Sequence, residues 1–476
     1  LPIYEEWISR QIIDKFNFYN FHDSIIKLHF PENQDDVEKK ELFRKRLAAD
    51  ELISNYFAIR YLKEKTKKKE DNLDLDFSSQ NQLVLNLPFK LTEKQKTIIN
   101  EINSLNNSHY RETILLQGDV GSGKTIVSLL TAIPFILKGY QVAYMAPTEI
   151  LASQIYENII NLIQLNKINP VLLTGSTKNK DEIYQKISNK EFDFIVGTHA
   201  IFQENLIFNQ LKYVIIDEQH RFGVRQRLIL GEKGINTNIL LMSATPIPRT
   251  LALAQYGEIE QVVLNEKPAF QRPIITKVSN SKKIKDLIIY LKKSISDKNQ
   301  IYWICPLVEE SENHEYKDVE SRFKSLQKVF GSKVGLLHGK MKATDKENII
   351  NEFKLGKLGI LVATTVIEVG IDNKNANTVV IENSEKFGLS QLHQLRGRVG
   401  RGNEQGYCFA IYGDNITDTS KERLKVFKDN LDGFKLAEKD LEIRGTGDVL
   451  GYRQSGDSLF RFVNTAQDQE LIIECF

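Results

Sequence analysis

The chain has 476 residues, enough for about three domains of ordinary size. A hydrophobic content of 41% and a charged content of 26% are typical of a globular protein, and the sequence has no apolar run of the roughly 18 residues that a membrane span requires. The net charge of +2 excludes a strongly basic nucleic-acid coat protein, although it allows local basic patches. Isolated cysteines and the lack of a targeting motif indicate a cytoplasmic protein.

The first part of the chain, residues 1–87, is predicted to be mostly helical. Within residues 39–65, apolar side chains recur near helical spacing, with charged residues between them. Residues 66–82 are polar and aperiodic, so we expect an exposed linker. We interpret its lysines as a solvated charge run in preference to a DNA contact.

From residue 112 onward, short β-rich runs alternate with longer helical segments. The first set of predicted strands is 112–117, 141–147, 192–198, 212–218 and 239–245, and the second is 299–306, 333–339, 359–365, 377–383 and 406–413. Near-continuous apolar strands between helices predict parallel sheets covered on both faces, and therefore two α/β domains in tandem. Two prolines place the linker between them near residues 265–274.

A phosphate-binding loop is predicted at residues 118–125, "GDVGSGKT", which match the pattern G-x-x-x-x-G-K-[ST] between a strand and a helix. The glycines let backbone N–H groups face phosphate oxygens. Lys124 can reach the β- and γ-phosphates, and the Thr125 hydroxyl can bind Mg²⁺. The candidate ATP-binding residues of this loop are Gly118, Gly121, Ser122, Gly123, Lys124 and Thr125.

Two acidic residues and two arginines complete the predicted catalytic set. Asp217 ends a predicted buried strand and is placed to hold Mg²⁺, while Glu218 can polarise the attacking water. In "QLHQLRGRVGRG" (391–402), Arg398 and Arg401 are three residues apart and can share one side of a short helix. A basic surface is the alternative, but we favour arginine fingers that reach the phosphate from the second α/β domain.

The order of these motifs resembles that of the superfamily 2 helicases. The series is "LTEKQ" (91–95), "GDVGSGKT", "APTEILA" (146–152), "VGTHA" (196–200), "DEQH" (217–220), "SATPIPRT" (243–250), "ATTVIEVGID" (363–372) and "QLRGRVGRG" (394–402). The resemblance implies that Gln95 reads adenine and that Ser243 and Thr245 link hydrolysis to DNA binding. It also implies that Lys340, within "HGKM", lies near the DNA backbone.

Further stretches make the chain similar to the RecG family of branched-DNA translocases, over nearly its whole length. They are "RLAADELISNYFAIR" (46–60), "DEQHRFGVRQR" (217–227), "MSATPIPRTLA" (242–252) and "DGFKLAEKDLEIRGTGDVLGYRQSG" (432–456). In that family the last glycine-rich stretch follows a helical hairpin and transmits domain closure to the DNA. The likeness therefore implicates Arg444 and Gln454 in coupling.

The resemblance implies an α/β fold of two tandem RecA-like parallel-sheet domains, with an N-terminal helical connector and a C-terminal helical hairpin and translocation motif. The expected boundaries are 1–87 for the connector and linker, 88–267 for the ATP-binding domain, 268–414 for the second helicase domain and 415–476 for the hairpin and translocation motif. Because no barrel pattern precedes the helical segment, we expect a motor without the family's N-terminal wedge domain.

The function implied is that of an ATP- and Mg²⁺-dependent double-stranded DNA translocase. It would remodel stalled forks and Holliday junctions in recombination and repair, as a monomer, with single-stranded-DNA-binding protein as a candidate partner. A translocase similar to the transcription-repair coupling factor is one alternative, since it shares the final motif, although Gln219 favours RecG. A non-hydrolysing, ATP-gated DNA clamp is another.

Other residues have plainer interpretations. We expect His199 and His338 to be structural or close to DNA, and Trp303 to belong to the core. Arg225 and Arg227 are equally consistent with a phosphate contact and with surface positions.

Overall fold

The computed structural model describes most of the chain, and its described residues form two compact units. The larger unit comprises residues 69–246 and 260–437, and the smaller comprises 1–68, 247–259 and 438–476. Within the described part of the chain, no helix is both long and apolar enough to cross a bilayer. The described residues are 4–66, 73–85, 87–108, 111–163, 168–218, 237–244, 259–267, 272–306, 315–364, 373–400, 402, 404–414, 416–444, 460–464 and 467–475.

The first sheet of the larger unit has seven strands among the described residues, and every pair of neighbours is parallel. In chain order the strands are β1 (Thr113–Gly118), β2 (Gln141–Met145), β3 (Pro170–Leu173), β4 (Phe194–Gly197), β5 (Leu211–Ile216), β6 (Asn238–Ser243) and β7 (Glu260–Leu264). Across the sheet their order is β3-β4-β2-β5-β6-β1-β7.

The second sheet has six described strands, again all parallel, in the order β10-β11-β9-β12-β13-β8. They are β8 (Ile275–Asn280), β9 (Gln300–Ile304), β10 (Val334–Leu337), β11 (Ile360–Ala363), β12 (Ala376–Ile381) and β13 (Tyr407–Tyr412). The prediction of two parallel-sheet domains in tandem is confirmed.

Three strands were not predicted, and all three lie at sheet edges: β3 and β7 in the first sheet and β8 in the second. An interior strand of a parallel sheet is buried on both faces and therefore reads as a continuous apolar run. By contrast, β8 contains only exposed and half-buried residues and carries Thr276 and Lys277. Edge strands of this kind lack the apolar signal on which the prediction depended.

Helices cover both sheets. In the larger unit they are Ser78–Leu85, Glu93–Asn106, Lys124–Leu137, Glu149–Ile163, Lys180–Ser188, Ile284–Ser296, Glu315–Phe330, Ala343–Lys354, Leu389–Arg396 and Asp418–Asp429. The helix Gly433–Arg444 begins in this unit and continues into the smaller one. In the first core, the ring of Phe135 stacks on that of Tyr213 with centroids 4.5 Å apart. Burying such a side chain contributes about 1.5–3 kcal/mol.

In the core of the second sheet, Trp303 is fully buried, as predicted. Its Nε1 donates to Oε2 of Glu382 at 2.9 Å, and Nε of Arg322 donates to the same oxygen at 2.8 Å. The indole is therefore both packed and satisfied as a hydrogen-bond donor, which a buried tryptophan requires.

Part of the predicted linker is helical, which corrects the expectation for residues 78–82. The helix Ser78–Leu85 begins where Oδ1 of Asp76 accepts a hydrogen bond from the backbone N–H of Ser78 at 2.9 Å. Gln80 is buried and donates to the carbonyl of Leu130 at 2.8 Å, and Leu83 is buried beside it. Burial against the rest of the domain stabilises this helix, although its polar sequence does not predict one.

The smaller unit joins the two ends of the chain. Its N-terminal helices are Arg10–Phe16, Phe21–His29, Gln34–Glu38 and Lys40–Thr66, and its C-terminal helix is Gln469–Cys475. Both Nη atoms of Arg44 donate to the fully buried carboxylate of Asp468 at 2.8 Å. Glu51 accepts from the backbone N–H groups of Arg461 and Phe462. The segment near the C-terminus is thus held by the long N-terminal helix.

Candidate active site

The phosphate-binding loop lies between β1, which ends at Gly118, and the helix that begins at Lys124, as predicted. Gly123 has φ +92°, a left-handed conformation that costs an L-residue about 1–2 kcal/mol. A Cβ at this position would also overlap Nε2 of Gln95. Both features require glycine here.

Two side chains of the loop face its interior. Nζ of Lys124 donates to the carbonyls of Gly118 at 2.7 Å and Asp119 at 3.0 Å, and burial lowers the pKa of Lys124. The hydroxyl of Ser122 is fully buried and has no hydrogen-bond partner among the described residues. Because a buried polar group without a partner is costly, this hydroxyl fits an anionic oxygen that enters the loop.

Gln95 lies against the same loop. Its backbone and side chain form a capping box with Thr92 at the start of the helix Glu93–Asn106, and its Nε2 donates to the carbonyl of Ser122 at 2.8 Å. A carboxamide has a second N–H and a second lone pair, so these contacts leave it capable of pairing with a base edge.

The two predicted acids follow β5 at the carboxyl edge of the sheet. Asp217 and Glu218 are 7% and 9% exposed. Burial, and then the charge of Glu218, raise the pKa of Asp217 to about 7. Each of these two neighbouring carboxylates disfavours ionisation of the other, and oxygen donors are the ligands that Mg²⁺ prefers. The chemistry of these two carboxylates therefore fits a divalent cation, and the Thr125 hydroxyl belongs to the second residue of the helix that follows the loop.

Ser243 is the last residue of β6, and it pairs with Gln117 of β1 in the parallel ladder. The register places it beside the strand that enters the phosphate loop, where it is fully buried. Of the other residues predicted for coupling and catalysis, Thr245, Gln454 and Arg401 lie outside the described residues, as does the side chain of Arg444.

The arginine motif differs from the prediction in one respect: its helix is Leu389–Arg396, so Arg398 lies beyond the helix. Gly397 ends the helix, and its N–H donates to the carbonyl of His393 at 3.0 Å. Glycine is a poor helix former, which explains why the short helix stops there. Arg398 is 8% exposed. Its positive charge adds to the effect of burial in lowering the pKa of Lys124, and it partly opposes the effects of burial and Glu218 that raise the pKa of Asp217. Both effects are expected of a guanidinium near the site.

The two domains meet at the phosphate loop. A Cβ on Gly397 would lie 2.5 Å from Cγ1 of Val120, so the second domain approaches the loop closely. His393 forms a hydrogen bond with Asp119, the second residue of the loop. A cavity of about 370 Å³ beside these contacts is lined by residues of both domains. The sequence interpretation missed His393 and Asp119, although His393 stands within the arginine motif.

Three of the remaining predicted residues, Lys340, His338 and His199, lie within the described part of the chain. Lys340 is exposed in the turn after β10. His338 is half-buried, and His199 is exposed in the short helix His199–Phe202. Gln219, Arg225 and Arg227 lie outside the described residues.

Comparison with protein families supports the two-domain assignment. The family described as "DEAD/DEAH box helicase" matches residues 92–254, and "Helicase conserved C-terminal domain" matches residues 281–403. The DEAD-box helicase Mss116 bound to ssRNA, at 21% identity and a TM-score of 0.60, has the same fold. Tandem RecA-like domains are therefore established.

Relatives of higher sequence identity show which family of helicases the chain belongs to. The chain is 44% identical over 469 residues to the ATP-dependent DNA helicase RecG of Borreliella burgdorferi and 40% identical over 474 residues to that of Synechocystis sp.. Each match covers 98% of this chain, but 68% of the first relative and 56% of the second. A solved structure of RecG bound to a three-way DNA junction matches with 36% identity and a TM-score of 0.76, over 99% of this chain and 62% of that one. The chain therefore belongs to the RecG family of ATP-dependent DNA helicases.

Proposed function

We propose that this chain is an ATP-driven motor that translocates on double-stranded DNA and remodels branched DNA, such as stalled forks and Holliday junctions. One observation carries the proposal: the charges of Lys124, Asp217, Glu218 and Arg398 act on one another, so these buried side chains of the two domains lie close together. The junction-bound RecG structure supports branched DNA as the substrate. Because the chain spans 56–68% of the two RecG relatives, the activity of the longer proteins is part of the proposal.

The loop residues bind the nucleotide phosphates. Lys124 already donates to two loop carbonyls, and it exchanges these acceptors for β- and γ-phosphate oxygens when ATP enters. Ser122 gains the acceptor that it lacks within the described part of the chain, and backbone N–H groups of the glycines contribute further donors. Gln95, fixed beside Ser122, is our candidate for reading adenine.

The second group of residues acts on the γ-phosphate. Thr125 and Asp217 would hold Mg²⁺, which supplies positive charge to the phosphate oxygens. Glu218 orients the attacking water from its buried position next to Asp217. Arg398 and Arg401 stabilise the charge that spreads over the phosphoryl group, a contribution of about 10³–10⁵ in rate for a well-placed arginine.

Coupling to DNA follows from this division of labour. The acids belong to one domain and the arginines to the other, so the catalytic set is complete only when the domains close. Our candidates for transmitting domain closure to the duplex are Ser243, Thr245, Arg444 and Gln454. Lys340 is our candidate for a contact with the DNA backbone. The domain boundaries given above, the monomeric state and the contact with single-stranded-DNA-binding protein are likewise proposals.

The test is steady-state ATP hydrolysis by the chain alone, with linear duplex, and with forked DNA at equal concentration. We expect strong stimulation by DNA, greater with the fork, and no turnover in Lys124→Ala with its circular dichroism unchanged. Wild-type turnover in Lys124→Ala would contradict the assigned site. ATP binding without turnover under every condition would instead indicate a clamp, and co-purification with RNA polymerase would indicate the coupling-factor role.

A further inference from the structure

We propose that Asp119 and His393 form a cross-domain hydrogen bond, the Asp119–His393 bridge, that positions the arginine motif on the phosphate loop for hydrolysis. The inference deepens the proposed function and rests on it. Asp119 occupies one of the four variable positions of the loop motif, which the motif itself assigns no role. Neither residue touches the nucleotide in the assigned mechanism, so both are positioning residues.

The carboxylate of Asp119 accepts hydrogen bonds from the loop, from Lys267 and from the second domain. Its Oδ1 accepts from the N–H of Val120 at 2.7 Å and from His393, and its Oδ2 accepts from Nζ of Lys267 at 2.6 Å. Burial alone would raise the pKa of Asp119, but His393 and Lys267 hold that pKa well below its usual range. The carboxylate is therefore ionised, and hydrogen bonds to an ionised acceptor are about twice as strong as neutral ones.

The surroundings of His393 fix which nitrogen carries the proton. Its Nδ1 lies 2.8 Å from Nη2 of Arg396, and a guanidinium can only donate. Nδ1 must therefore accept, so Nε2 carries the hydrogen and donates it to Asp119. Burial lowers the pKa of His393, which keeps the ring in this neutral form.

Arg396 holds the histidine from behind. Its side chain is 2% exposed, its Nη1 donates to the carbonyl of Phe427 at 2.8 Å, and its guanidinium lies 4.5 Å from the centroid of the Phe427 ring. These contacts belong to the second domain. The Asp119–His393 bridge thus connects the loop of the first domain to a side chain that is rigidly seated in the second.

The position of the bridge explains why it can affect catalysis. His393 and Arg396 occupy the last turn of their helix, and Arg398 follows two residues later. On the other side, the carbonyl of Asp119 accepts from Lys124. One loop residue therefore contacts both the phosphate-binding lysine and the turn that presents the arginine, so loss of the bridge would displace the arginine relative to the γ-phosphate.

Gly433 lies against the Asp119–His393 bridge. A Cβ at Gly433 would lie 2.7 Å from Nε2 of His393 and 3.2 Å from Oδ1 of Asp119. A glycine therefore allows the start of the helix Gly433–Arg444 to lie directly against the hydrogen bond. A side chain at position 433 would push His393 and Asp119 apart while leaving the chemical identity of both residues unchanged.

The test compares His393→Asn with His393→Gln in the full chain. The Gln amide nitrogen reaches the place of Nε2 and retains the donor to Asp119, whereas the Asn amide ends near Nδ1 and does not. We expect His393→Asn to lower kcat for DNA-stimulated ATP hydrolysis by about 10- to 100-fold, as for the loss of a charge-assisted hydrogen bond. KM for ATP should stay within about threefold, since the loop residues that bind phosphate are intact. His393→Gln should recover most of the lost kcat.

Gly433→Ala provides an independent variant, because it disturbs the bridge while leaving both partners in place. We expect it to reproduce the kcat defect of His393→Asn, and it decides the question if His393→Asn does not fold. Unchanged kcat in both variants, or equal defects in His393→Asn and His393→Gln, would overturn the bridge. Absence of turnover in the wild-type chain would instead reject the proposed function, so the two failures are distinguishable.

Discussion

Replacing Gly123 with alanine tests the geometry of the phosphate loop most directly. The residue has φ +92°, and the added methyl group would overlap Nε2 of Gln95. The amide of Gln95 must then move away and give up its hydrogen bond to the carbonyl of Ser122. The substitution therefore imposes backbone strain and breaks one buried contact, both within the proposed ATP site.

The magnitude follows from the two costs. The left-handed backbone costs an alanine about 1–2 kcal/mol. A buried group left without its partner costs about 1–3 kcal/mol. If both costs fall on the loop conformation that binds phosphate, ATP affinity decreases by about 2–5 kcal/mol, and the lower limit corresponds to about a 30-fold increase in Kd.

An equilibrium titration with a fluorescent ATP analogue measures the effect. Gly356→Ala is the matched control: Gly356 has φ +75°, and no described atom lies within 4 Å of the position a Cβ would take. It should lose about 1–2 kcal/mol of stability and bind ATP as the wild type does. Adding Gln95→Ala to Gly123→Ala should lower ATP affinity little further, because the contact of Gln95 with the loop is already broken in Gly123→Ala. Wild-type affinity in Gly123→Ala, or full additivity with Gln95→Ala, would refute the reasoning.

Three further predictions concern stability. Asp468→Ala should destabilise the smaller unit by about 1.5–3 kcal/mol in urea unfolding, because the half-buried guanidinium of Arg44 loses two charge-assisted hydrogen bonds and keeps those to Glu41 and the carbonyl of Phe462; Asp418→Ala, at an exposed ion pair, should change the midpoint little. Trp303→Phe removes a donor to Glu382 and should cost about 1–3 kcal/mol and eliminate the buried component of tryptophan emission, leaving that of the exposed Trp7. Burial lowers the pKa of His393 below 6.5, so the stability that depends on its neutral ring should be complete above pH 6.5 and decline as the pH falls below it. A thermal midpoint that is equally pH-dependent in His393→Gln would contradict this last assignment.

The strand, loop and helix around residues 118–124 were predictable because these residues are close in sequence. The strand, the loop and Lys124 form one continuous stretch, and Asp217 directly follows a mostly apolar strand. Local pattern also located the interior strands of both sheets. It failed at β3, β7 and β8, where a strand at the edge of a sheet is short or partly polar, and at residues 78–82, where burial of Gln80 stabilises a helix.

The contact between Asp119 and His393 was beyond such reasoning. The two residues are 274 positions apart, and neither has an unusual local setting. Only the arrangement of the two domains brings them together, and a single sequence does not specify that arrangement. The same limit applies to Arg398: its spacing from Arg401 indicated a shared helix face, but the helix ends at Arg396, before Arg398.

The smaller unit has a consequence for synthesis of the chain. Arg44 and Asp468 are 424 residues apart, and Glu51 is separated from Arg461 and Phe462 by 410 and 411 residues. At about 5–20 residues per second, roughly 20–85 s separate emergence of the long N-terminal helix from emergence of its partner segment. During that interval Leu52 and its apolar neighbours are uncovered on the side that the C-terminal helix later packs against. The nascent chain therefore carries an exposed hydrophobic surface while both sheets form, and the smaller unit is completed only after them.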